Sequence, residues 1–230
     1  MGFWANYKGN RAYARYAKGD LEGAKTAYEQ AYAQGMDAPR LLLTYAILLL
    51  RTGDYAKAAE VLRRVEKAPG LTLDQHSQML VHYGVAMWKL GKMDRALEVL
   101  RDAFRRHKNT LTYSTLGFLL IEKGDADEAL AFNREAMAYD EDDPVFLDNL
   151  AQTYYRLLGD KQAARPLFER ALAHKPNAID TNYFLSQYDL EEGKTEDALA
   201  KLQLAAQGRF SPLNHVTRED VQAQIEKLQA

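Results

Sequence analysis

The chain has 230 residues, 47% of them apolar, with no cysteine and with 30 basic against 32 acidic side chains. Enough apolar material is present to bury a core, whereas a disulfide framework and a thiolate metal site are excluded. A net charge of −2 removes the broad attraction that nucleic-acid and anionic-membrane binders carry, and leaves such roles only to local patches.

The opening MGFWANYKGN lacks a basic region followed by a sustained apolar run, so no signal peptide and a cytoplasmic chain are expected. GNRAYARYAKGD then reads as a helix ending before Gly19. Counting back from that glycine puts Lys8, Arg11 and Arg15 where apolar packing residues belong, which fits a polar capping face or a first helix lengthened by almost one turn. LLLTYAILLL, ten residues between Arg40 and Arg51, falls short of the roughly 20 that cross a bilayer. It reads as a helix buried on two faces, and no membrane insertion is expected.

TGDYAKAAEVL at 52–62 opens a turn and a second helix, and returns as KGDADEALAFN at 123–133, LGDKQAARPLF at 158–168 and GKTEDALAKL at 193–202. KAPGLTLDQH, with Pro69 and Gly70 as breakers, reads as a surface loop, or alternatively as a hinge between a two-repeat and a four-repeat lobe. TYYRLLGD carries one extra residue before its glycine, which a looser turn absorbs. TREDVQAQIEKL, from Thr217 with Asp220 three residues on, predicts a capped single helix that closes the last apolar face.

The turn glycines are Gly19, Gly53, Gly91, Gly124, Gly159 and Gly193, at intervals of 34, 38, 33, 35 and 34 residues. Alanine stands five places after each: Ala24, Ala58, Ala96, Ala129, Ala164 and Ala198. Seven further on come Ala31, Val65, Ala103, Ala136, Ala171 and Ala205, and about seven before each glycine come Ala12, Ala46, Gly84, Gly117, Ala151 and Ser186. Helices joined by a tight turn and stacked on the next pair approach closely only where side chains are small. Bulky fillers such as Tyr28, Leu62, Leu100, Phe168 and Leu202 stand four residues after the first alanine, on the same helical face. The glycine suits a left-handed helix end and the Asp after it a helix start.

A period near 34 marks a solenoid, and the chain resembles the tetratricopeptide repeat family. Leu80, Tyr83, Gly84, Met87, Gly91, Ala96, Leu100 and Ala103 carry the resemblance in the third repeat, and Leu150, Ala151, Tyr154, Gly159, Ala164, Phe168, Ala171 and Pro176 in the fifth. The fourth matches through Tyr113, Leu116, Gly117, Leu120, Gly124, Ala129 and Ala136. The resemblance implies an all-α, right-handed α-solenoid of about six helix-turn-helix repeats plus a C-terminal capping helix. Its repeats fall at about 5–38, 39–72, 77–109, 110–143, 144–177 and 178–207, within a solenoid over 1–207, with a loop and capping helix over 208–230. It also implies a non-catalytic scaffold that binds proteins or peptides, with a concave wall built from the first helix of each pair. Asn133 departs from the pattern, standing where a large apolar residue belongs, with Phe132 beside it as a substitute.

Family geometry brings the second, fifth, ninth and twelfth places of each first helix to that wall. The candidate groove residues are Tyr13, Tyr16, Leu43, Ile47, Leu50, Val81, Val85, Trp88, Phe118, Ile121, Tyr155 and Tyr183, apolar enough for an apolar or amphipathic peptide or helix. The competing expectation is that these side chains cover one another, or that the N-terminal segment with Phe3 and Trp4 fills the wall. A carboxylate-binding clamp is absent, because its places hold Gly9, Tyr13, Thr44, Gln78 and His82; Asn149 reads as a backbone-bonding residue.

Self-association is the second functional expectation and RNA binding a weaker third. The latter rests on Arg101, Arg105, Arg106, His107 and Lys108, and on the likeness of TYSTLGFLLIEKGDADEALAFNREAM to a pentatricopeptide repeat. No metal or cofactor is expected: His76, His82, His107, His174 and His215 lack ligand spacing, and Asp140, Glu141, Asp142 and Asp143 read as a helix-capping turn. No catalytic motif stands out.

Overall fold

The computed structural model describes residues 2–229, which form thirteen α-helices and no strand. The chain divides into two compact units at residues 112 and 113.

The first unit stacks three helical hairpins. They are α1 (Gly2–Ala17) with α2 (Leu21–Ala33), α3 (Pro39–Arg51) with α4 (Tyr55–Val65), and α5 (Leu73–Lys89) with α6 (Met93–Arg106). The first helices α1, α3 and α5 lie side by side in one layer. The extra segment between α4 and α5 lies within this unit, its flanking helices packed together, so it is a surface loop and the division falls after the third hairpin. A capping box of Thr72 and Gln75 restarts the helix there.

The second unit begins within α7 (Thr110–Lys123). It continues through α8 (Ala126–Tyr139), α9 (Pro144–Gln152), α10 (Lys161–His174), α11 (Ile179–Glu191) and α12 (Thr195–Ala206) to the closing helix α13 (Arg218–Gln229). The Thr217–Asp220 capping box is formed, and Val216, Val221 and Ile225 bury the end of the core against Ile179, Leu202 and Ala205.

Local chemistry explains these elements. Gly53 has φ +80, a left-handed conformation that a side chain would strain, and Asp54 accepts from the Lys57 N–H to start α4. Asp20, Asp125 and Asp160 cap in the same way. The alanines at the crossing points are fully buried, as are Tyr28, Leu62, Phe168 and Leu202. At Gly117 a Cβ would lie 2.2 Å from Asn133 Oδ1, so the backbone approach tolerates only hydrogen. Asn133 is buried there and donates to Thr153 Oγ1 at 3.1 Å, while Phe132 packs beside Tyr113. A polar joint thus replaces the expected apolar filler.

The extra residue in TYYRLLGD is not absorbed in the turn. It is taken up inside the helix, where Thr153–Leu157 form a π-helical turn that continues α9. The helix α1 runs sixteen residues and leaves Lys8, Arg11 and Arg15 exposed.

Candidate partner-binding walls

In the first unit, α3 is buried on every side except one stripe. Leu41, Leu42, Leu43, Tyr45, Ala46, Leu48, Leu49 and Leu50 are all core, leaving Arg40, Thr44, Ile47 and Arg51 accessible at helical spacing. The matching stripe of α1 passes through Asn10 and Tyr13, and that of α5 through Gln78, His82 and Lys89. The side chains of α1 and α3 meet. Arg40 donates to Asn10 at 2.6 Å and stacks 4.9 Å from the Tyr13 ring, and Arg51 donates to the Tyr16 hydroxyl at 3.1 Å. Lys89 lies over the Trp88 ring at 3.8 Å. Guanidinium and ammonium groups over aromatic faces gain electrostatically while keeping a hydrated side. Burial alone pushes His82 down to about 4, so the imidazole is neutral on this wall at physiological pH.

The sequence candidates therefore separate by exposure. Tyr13, Tyr16, Ile47 and Trp88 are accessible or half-buried, whereas Leu43, Leu50, Val81 and Val85 are buried side chains that hold the wall together.

The α7–α9–α11 wall of the second unit is polar and covered. Phe118 and Ile121 are buried. Tyr155 lies between helices, its ring 5.0 Å from Phe184 and 5.7 Å from Tyr188, because the π turn shifts the phase of everything after Gln152. Arg156 takes the wall position instead: it donates to Gln152 Oε1 at 3.0 Å and pairs with Glu122 of α7 at 2.8 Å. Gln152 donates to Asp148 at 2.6 Å, and Thr181 of α11 donates to the other Asp148 oxygen at 2.6 Å. Asn149 donates to the Ser114 carbonyl, the backbone role expected of it.

The cover is the chain's own loop before α13. Asp180 accepts from the backbone N–H of His215 and Val216 and from the Asn214 amide. The His215 ring stacks on Phe184, with its Nδ1 3.9 Å from a Glu122 oxygen. Tyr183 packs into the core beneath α13, and Gln187 exchanges hydrogen bonds with Gln224. Burial, and then the neighbouring Asp180, raise Asp148 to about 7; burial also raises Asp180. Glu122 is held below the usual carboxylate range, burial being outweighed by His215 and Arg156. Sequence reasoning missed His215 and Arg156. Counting back from Gly159 instead of forward from the helix start would have found Arg156.

Other sequence features settle into structural roles. Asp143 caps α9 through the Val145 and Phe146 N–H groups, and Asp142 pairs with Arg170. Arg105 and Arg106 both pair with Asp102, and His107 lies 3.7 Å from Asp74. No helix among the described residues is long and apolar enough to cross a membrane.

Residues 15–70 and 146–173 each match a tetratricopeptide repeat profile. The chain is 24% identical over 217 residues to the TPR repeat-containing protein YpiA of Bacillus subtilis, covering 81% of this chain and 51% of YpiA. It is 27% identical over 139 residues to the BBSome complex member BBS4 of Bos taurus, covering 59% of this chain and 24% of BBS4. It thus spans about half and about a quarter of these relatives' lengths. The fold superposes on a tetratricopeptide repeat protein from Parabacteroides merdae with a TM-score of 0.78 at 14% identity, over 98% of this chain and 84% of that one. Repeat spacing, hairpin stacking and these matches agree: the chain is built of tetratricopeptide repeats.

Proposed function

We propose that the chain is a protein-interaction scaffold whose α1–α3–α5 wall docks an acidic, amphipathic segment of a partner. Tetratricopeptide repeats generally serve as protein-binding scaffolds without catalytic chemistry of their own, and one relative, BBS4, is a BBSome complex member. The observation that carries the finer reading is the accessible stripe of α3. It offers two arginines flanking Thr44 and Ile47, beside Tyr13 and Tyr16, with Trp88 on the neighbouring helix α5. Aliphatic and aromatic surface would take the apolar face of a helix, and Arg40, Arg51 and Lys89 its acidic edge. The second wall already holds the chain's own loop, whereas the α3 stripe of the first unit is accessible.

The test is a titration with acidic amphipathic helical peptides and their basic counterparts, followed by Trp88 fluorescence in a Trp4→Phe background. The acidic peptides bind, and Arg40→Glu with Arg51→Glu weakens them by at least about tenfold, as the loss of two charge contacts requires. Equal binding of the basic peptides, or undiminished binding by the double variant, removes this reading.

A further inference from the structure

The opposite face of α1 carries a second surface that the partner wall does not use. Its buried stripe is Ala5, Gly9 and Ala12. Its exposed stripe runs Trp4, Tyr7, Lys8, Arg11 and Arg15, with Phe3 beside its start and Lys18 in the turn that follows. Phe3, Trp4 and Tyr7 are 78%, 70% and 53% exposed, so the largest apolar side chains of the helix are turned to solvent at one end. Gly2–Ala17 contains no acidic residue.

A face that only has to stay solvated is served best by a mixture of charges. This face is of one sign and is tipped with aromatic rings, so solvation does not account for it. Lys8, Arg11 and Arg15 line a cleft of about 320 Å³ against Thr26, Ala27 and Gln30 of α2. Lys8 donates to the Gln34 amide and Arg15 to the Gly23 carbonyl, and among the described residues neither is paired with a carboxylate. The cleft is thus a cationic, hydrogen-bonding recess without its counter-charge.

We infer that this face of α1 and the turn after it dock on an anionic lipid bilayer, with Phe3, Trp4 and Tyr7 entering the interface and Lys8, Arg11, Arg15 and Lys18 meeting headgroup phosphates. Aromatic rings favour the headgroup level, and cations near an anionic surface are held there electrostatically. The ring geometry favours a bilayer over nucleic acid. Phe3 and Trp4 pack edge to face at 5.7 Å, and Trp4 and Tyr7 at 6.2 Å, making one apolar knob instead of separate faces for base stacking. The overall charge of −2 does not oppose this, because the positive charge is local to one helix.

The experiment is flotation of the full chain with vesicles of pure phosphatidylcholine and with vesicles containing about three-tenths phosphatidylglycerol. Quenching of Trp4 by brominated lipid is read in parallel in a Trp88→Phe background. The chain floats with the anionic vesicles only, and Trp4 is quenched. Lys8→Glu with Arg11→Glu and Arg15→Glu lowers binding at least about tenfold, Phe3→Ser with Trp4→Ser does likewise, and Arg40→Glu with Arg51→Glu leaves it intact. All these side chains are exposed, and unchanged melting shows that each variant folds. Flotation equal for the charge-reversed variant, or with Trp4 unquenched, overturns the inference. So does an absence of flotation, whether or not inorganic phosphate or an oligouridylate occupies the cleft.

Discussion

The His215 ring lies parallel to Phe184, centroids 5.4 Å apart and planes 13° apart, and so fastens the loop before α13 onto the first-helix wall of the second unit. The same residue gives its backbone N–H to Asp180 and turns its side chain toward Glu122, so one loop residue is bound to α7 and to α11. The wall is closed by sequence-distant chemistry and not by apolar filling.

Replacing Asp180 by Ala leaves the N–H groups of His215 and Val216 without their acceptor. Unpaired buried donors cost about 1–3 kcal/mol, and the loop should open before the helices melt. Hydrogen exchange should then accelerate over residues 208–217 with α7, α9 and α11 still protected. Unchanged exchange in the loop contradicts the fastening described here.

His82 gives a signed pH dependence. The native imidazole stays neutral down to about 4, while the unfolded one titrates near 6.5. Between these values the unfolded chain binds the extra proton, so stability falls as pH falls, by up to about 3 kcal/mol. Urea melts of the protein and of His82→Gln should diverge across this window and run parallel above pH 7. Parallel curves throughout mean that His82 is not held neutral.

Asp148 has the opposite sign. Its native value is raised toward about 7 from 3.8, so the folded chain keeps a proton that the unfolded one has lost, and stability falls as pH rises through that window. Asp148→Asn, which keeps partners in Gln152 and Thr181, should stabilise by about 1–3 kcal/mol above pH 7 and by nothing at pH 3.5. Denaturant midpoints at the two pH values decide it, and destabilisation at both contradicts the assignment.

Gly117→Ala should destabilise by about 1–3 kcal/mol through overpacking against Asn133. Gly84→Ala, whose Cβ would meet Leu100 Cγ at 2.7 Å, should behave alike. Thermal melts of the two single variants check this, and a neutral result at both would show that the helices can separate.

The architecture was legible because each hairpin repeats the same solution: a left-handed glycine and an alanine at the crossing, joined in four of the six by an Asp cap. Those are local requirements, and they return at nearly the same spacing. The walls were less legible for two physical reasons. Leu43 and Leu50 share a helix with Ile47, but a rotation of one residue decides between core and surface, and neighbouring helices set that rotation. Tyr155 was expected on the wall, yet a π turn consumes the inserted residue and delivers Arg156 there. His215 belongs to a loop whose partners, Phe184 and Glu122, lie 31 and 93 residues away in sequence, beyond any local pattern.

The most direct test of the account is photo-cross-linking of an acidic amphipathic peptide to the full chain, with the attached residues located by mass spectrometry. Cross-links at Tyr13, Tyr16, Arg40, Ile47 and Trp88, with none on α7, α9 or α11, are what the open first wall and the closed second wall require. Cross-links concentrated at Phe184 and His215, with the α3 stripe unlabelled, would contradict it.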